Sequence, residues 1–177
     1  MFKDSKSWKV FQTLKQEKQS LTDQLDQLPS SQLQNQFEAG AWSVVQVMSH
    51  LDLVEYGTFK YLTKKLSSPS SSSHSPIVTI RGWLLRTSQK LPFKYKTSSK
   101  LEDASNSKTY EDLKKNWSNH QQELESLLSM QESQIFHLPI YRNQAVGYLS
   151  IYEQLRFLLT HFRRHENQIQ QLLKKTT

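Results

Sequence analysis

The chain has 177 residues, no cysteine, four glycines and five prolines, and its 23 Lys and Arg against 16 Asp and Glu give a formal charge of +7. That length suits a single domain over residues 1–177, with a core resting on an 11% share of aromatics because hydrophobic residues reach only 36%. Disulfides, thiolate metal sites and cysteine nucleophiles are excluded; phosphate-cradling glycine loops are nearly so; no run nears the roughly 18 apolar residues of a membrane span, and MFKDSKSWKVFQ lacks an apolar signal region, so a cytoplasmic protein away from the membrane is expected.

Trp8, Phe11, Leu14, Leu21, Leu25 and Leu28 recur at three- and four-residue steps, which predicts a first helix over residues 4–28. Asp4 or Ser5 can cap its start, and Pro29 blocks its continuation. Residues 30–36 read as a polar link. A second helix is predicted from Ser43 to about Leu66, because Ser43 and Gln46 have the spacing of a capping box ahead of the stripe Val44, Val47, Leu51, Val54 and Thr58. SSPSSSSHSP, residues 67–76, reads as a flexible solvated loop. Residues 77–91 suit a short helix, although IVTI would also suit a strand, and residues 93–108 read as irregular.

A third long helix is expected from Thr109, with Asp112 as its capping partner and Tyr110, Leu113, Trp117, His120, Leu124 and Leu127 on one face. A long connection over residues 132–149 carries Pro139 and Gly147. The last helix starts at Ser150, paired with Glu153, and sets Ile151, Leu155, Leu158, Phe162, His165, Ile169 and Leu172 on one stripe. Four long amphipathic segments with no convincing strand imply an all-α helical bundle. The long third connection argues against simple up-down-up-down wiring.

Histidine carries the chemical signal. Of the six, His74 falls in the serine loop. His161 and His165 are four residues apart on the last helix, so both rings leave one face about a turn apart. Two imidazoles so placed can share a metal ion, or can be core histidines satisfied by other partners. A third ligand must come from another helix, and periodicity offers His50 and His120 equally.

WSVVQVMSHLDLVE (residues 42–55) resembles the Trp-Ser…His-Leu segment of the DinB/YfiT-like superfamily, and HFRRHENQI (residues 161–169) resembles its closing His-x-x-x-His-x-x-Gln-Ile helix. LPFKYK (91–96), YEDLKKNW (110–117) and YRNQAVGYLSIYEQLRFLL (141–159) are similar to family segments and follow in the same order. The resemblance implies a four-helix bundle with an additional short helix. It also implies a three-histidine site for a divalent metal, which carries over to His50, His161 and His165.

Three neutral imidazoles leave coordination positions open for water or substrate. All-nitrogen ligation suits zinc, nickel, iron or copper better than magnesium or calcium, and zinc, nickel or iron is the expected ion. The resemblance implies a metal-dependent hydrolase or a transferase acting on a low-molecular-weight thiol, with a small-molecule substrate and a homodimer as expected partners. The chain departs from many relatives in placing Asn143-Gln144 where they carry His-Pro; His137 lies six residues earlier.

Asp52, Glu55 and Glu166 read as solvated surface charges, with a supporting role behind the ligands as the alternative. Trp8, Trp42, Trp83 and Trp117 read as core or pocket-wall residues. Two competing functions remain at this level. One is a non-catalytic bundle that binds a partner or ligand. The other is nucleic-acid binding, prompted by Arg81, Arg86, Lys90, Lys94, Lys96 and Lys100 in an acid-free stretch; with no reader motif, that stretch reads as a solvated face and nucleic acid is not expected as a partner.

Overall fold

A computed structural model describes residues 1–36, 41–67, 108–143 and 147–175. The serine stretch over residues 68–76, the element expected over residues 77–91 and the basic run from Arg81 to Lys100 lie outside the described residues.

Local capping chemistry sets where the helices begin. Helix α1 (Ser5–Leu25) starts where the Asp4 carboxylate accepts from Ser7 N–H at 2.7 Å. It stops three residues before the expected Leu28, whose N–H instead closes a turn on Leu25 C=O. Pro29 then caps a five-residue helix, α2 (Ser30–Gln34), where a polar link was expected. Proline fixes φ near the helical value and Leu33, 1% exposed, anchors the turn in the core. Helix α3 (Val44–Leu66) and helix α4 (Tyr110–Ser129) both open with complete capping boxes, Ser43 with Gln46 and Thr109 with Asp112. A 3-10 turn follows over Ser133–His137.

The connection into the last helix holds two three-residue strands, β1 (Tyr141–Asn143) and β2 (Gly147–Leu149). They pair antiparallel, Tyr141 with Leu149 and Asn143 with Gly147. Gly147 has φ of 83°, a region other residues rarely adopt. This hairpin corrects the reading of a chain without strands: three residues are too few to show an alternating pattern. It delivers Ser150, whose hydroxyl accepts from Glu153 N–H at 3.1 Å and starts helix α5 (Ile151–Lys174).

Side-chain pairings fix the wiring. Glu17 meets Arg163 and Gln24 meets Gln170, so α1 and α5 run parallel. Lys15 meets Glu125 while Lys114 meets Asp26, so α4 runs antiparallel to α1. His50 meets His161 while Thr58 meets Gln154, so α3 runs antiparallel to α5. It follows that the packed neighbours α3 and α4 are parallel. The described chain is therefore an all-α four-helix bundle with an added short helix, and its wiring is not up-down-up-down.

The interior has two layers. At one end Phe2, Phe11, Leu62, Leu124, Leu128, Phe136, Ile151 and Leu155 pack together. Toward the other end Leu14, Leu21, Val47, Leu51, Leu113, Trp117, Phe162 and Ile169 form the larger cluster. Each fully buried Phe or Leu contributes about 1.5–3 kcal/mol relative to exposure. The aromatic residues thus make up for the modest apolar share. Among the described residues, no helix is long and apolar enough to cross a membrane.

Candidate metal centre

His50 sits on the second turn of α3, and His161 and His165 sit mid-way along α5. Because the two helices pack antiparallel, the three rings converge. Ring centroids are 5.2 Å apart for His50 and His161, 4.9 Å for His50 and His165, and 4.6 Å for His161 and His165. His50 Nε2 lies 3.3 Å from His161 Nε2. One nitrogen from each ring falls within 4.8 Å of the others. Two nitrogens on a tetrahedral ion at ordinary Zn–N lengths stand about 3.3 Å apart. The closest pair therefore already has the spacing of shared ligands.

The electrostatics favour neutral rings. Burial, followed by the charges of His165 and Arg164, pushes His50 down to about 4. Burial holds His161 well below the usual imidazole range, helped by His165, His50 and Arg164. Burial also lowers His165, although its hydrogen bond to Gln168 works the other way. Neutral imidazole is the form that ligates a metal. His165 Nδ1 is 2.9 Å from Gln168 Oε1. Donation from Nδ1–H to that oxygen leaves the Nε2 lone pair free to ligate. His50 Nδ1 is buried without a hydrogen-bond partner among the described residues. Trp42 packs against His50 and Phe157 stacks on His161, giving the partly buried cluster two apolar neighbours.

The structure brings His50, and not His120, beside His161 and His165. His120 is elsewhere: its Nδ1 bonds Asp52 Oδ1 at 2.8 Å and its ring stacks on Tyr56. His137 bonds Asp4 Oδ1 at 3.0 Å, near the start of α1. His74 and Trp83 lie outside the described residues, as does Gln144; Asn143 pairs with Gly147 in the hairpin.

Two acids read as solvated charges are in fact buried. Asp52, 1% exposed, binds Lys108 as well as His120. Glu55 pairs with Lys18 in the bundle interior. Helix α3 is covered on several sides, so positions off the histidine face are still inside. Glu166 is half-buried, and burial followed by the nearby Glu17 raises its carboxyl while Arg163 opposes. Lys18 and Gln168 went unassigned from sequence. Lys18 had a readable signal, since it occupies the apolar register between Leu14 and Leu21.

With the bundle and its histidines in place, comparison with known proteins is decisive for the family: the DinB superfamily model matches residues 13–169. The chain belongs to the DinB superfamily. No curated protein and no solved structure gives a significant match. Membership together with the three-histidine cluster fits a metal-binding DinB-like protein. The hydrogen bond from His165 to Gln168 gives a physical role to the glutamine of the closing helix in this DinB-superfamily chain.

Proposed function

We propose that this chain holds one divalent transition metal, zinc, nickel or iron, on His50, His161 and His165, and that the site serves a hydrolase or low-molecular-weight thiol transferase acting on a small molecule. The observation that carries the reading is the approach of three ring nitrogens to within 4.8 Å, contributed by two helices. An ion there would supply Lewis acidity to a substrate group at its open positions. The chain's own contribution is to keep the rings neutral by burial, to fix His165 through Gln168, and to limit water around the cluster with Trp42 and Phe157. The absence of cysteine means that any thiol in the reaction comes from a substrate.

The test is metal content and affinity. Purified protein equilibrated with Zn²⁺, Ni²⁺ or anaerobic Fe²⁺ and then desalted should retain one ion per chain. His50→Ala, His161→Ala and His165→Ala should each abolish that retention, while His120→Ala should keep it. Wild-type protein that retains no ion overturns the reading. Loaded protein that turns over neither esters or amides nor thiol–electrophile pairs overturns its catalytic half and leaves a binding protein.

A further inference from the structure

A charged pair occupies the middle of the bundle. Lys18 of α1 and Glu55 of α3 meet at 2.5 Å across it, with side chains only 4% and 8% exposed. The Lys18 ammonium also lies 4.7 Å from the centroid of the Trp117 ring. Replacing such pairs by apolar residues is often neutral or stabilising, so stability alone is a weak reason for one.

The surroundings suggest a more particular role. Among the described residues, Glu55 Oε1 and Trp117 Nε1 are both buried without a hydrogen-bond partner. Both residues line one small cavity of about 10 Å³, and so does His161; the rest of its wall is Lys18, leucines and Phe162. A single internal water needs roughly that volume and two to four polar partners. The orphaned atoms are complementary, one a carboxylate acceptor and the other an indole donor. His161 Nε2 is turned toward His50 at 3.3 Å, which leaves Nδ1 as the nitrogen for other partners.

We propose that this cavity is an internal water site and that its water joins Glu55 to His161. The water donates to Glu55 Oε1 and accepts from Trp117 Nε1–H and from His161 Nδ1–H. That arrangement fixes the tautomer of His161 with its Nε2 lone pair facing the cluster. Glu55 is then a positioning residue, held by Lys18 and acting on the histidines through one water. The consequence for metal affinity rests on the metal-binding reading above; the water and the tautomer do not.

The test has one arm for each part. A high-resolution crystal structure of the metal-free protein should show one water within hydrogen-bond distance of Glu55 Oε1 and Trp117 Nε1. Long-range ¹H–¹⁵N spectra of metal-free protein should show His161 as the Nδ1–H tautomer in wild type and a mixture in Glu55→Gln and Trp117→Phe. Ni²⁺ affinity by chelator competition should fall on the order of 10-fold in both variants. Leu14→Ala, which alters the same cavity wall but keeps both polar groups, should retain the wild-type tautomer and affinity. Trp117→Phe removes the N–H while keeping an aromatic face over Lys18, so it decides the matter if Glu55→Gln does not fold. An absent water, or a His161 tautomer unchanged in both variants, overturns the proposal. Wild-type protein that binds no Ni²⁺ but shows the water and the tautomer change overturns the metal reading alone.

Discussion

Acidifying the metal-free protein should unfold it through its histidines well before most carboxylates protonate. In the unfolded chain His50 titrates near 6.5, and in the bundle burial brings it to about 4. The folded state therefore prefers the neutral ring. Above the unfolded value neither state binds the proton, and stability is at its plateau. As the pH falls from about 6.5 toward 4, the unfolded chain takes up a proton that the folded chain refuses. Each unit of separation is worth about 1.4 kcal/mol, so His50 alone removes about 3 kcal/mol by pH 4. His161 and His165 shift in the same direction, with burial the leading cause for both. The three rings titrate as a coupled set, so the loss belongs to the cluster. Glu166 works in the opposite sense: its raised carboxyl lets the folded state bind a proton first and offsets part of the loss. Urea unfolding at half-unit steps from pH 7.5 to 4.5 should show the midpoint falling below pH 6.5. In the variant with His50, His161 and His165 all changed to Gln the curve should be much flatter. Zinc at 100 times its dissociation constant should add about 2.7 kcal/mol at pH 7.5 and progressively less as protons compete. A wild-type midpoint that stays flat down to pH 4.5 would refute the assignment of buried neutral rings.

Two further outcomes test the packing. Lys18→Met strands the Glu55 carboxylate inside the bundle and should cost about 3–5 kcal/mol in urea unfolding, while Lys18→Met with Glu55→Leu should recover most of that; a double variant as unstable as the single one would show that the loss is not electrostatic. Ser43→Ala, Thr109→Ala and Ser150→Ala should each lower stability by about 1 kcal/mol, because each hydroxyl accepts from the third residue of its helix. Changes below a few tenths in thermal or urea unfolding would mean that these helix starts are fixed by tertiary contacts instead.

What the sequence discloses follows the range of the interactions involved. Ser43 with Gln46 and Thr109 with Asp112 act across three residues, and both helix starts were readable within one residue. The pair His161 and His165 is equally local, since four residues is about one helical turn. Helix α2 was hidden because SSQLQ has one apolar residue, and its stability depends on Leu33 reaching the core. The hairpin was hidden because its strands are held by each other and by the packing of Leu149. The burial of Asp52 and Glu55 was also unreadable, because their partners Lys108 and Lys18 are distant in sequence.

The third histidine shows why. His50 and Asp52 are two residues apart, about 200° around α3, so they leave it on nearly opposite faces. Parallel packing of α4 on one face and antiparallel packing of α5 on the other then decides the partners. His50 turns to His161 and His165, and Asp52 turns to His120. Both His50 and His120 lie in their helices' apolar registers, so periodicity treats them alike. Only the order of the helices around the bundle separates them. That order gives His120 a carboxylate, which satisfies one ring nitrogen, while His50 keeps a buried Nδ1 without a partner among the described residues and sets Nε2 3.3 Å from His161 Nε2. A ring bonded to Asp52 has a conventional core partner, whereas the three clustered rings bring one nitrogen each within 4.8 Å of the others, an arrangement able to hold a metal ion that accepts a lone pair from each.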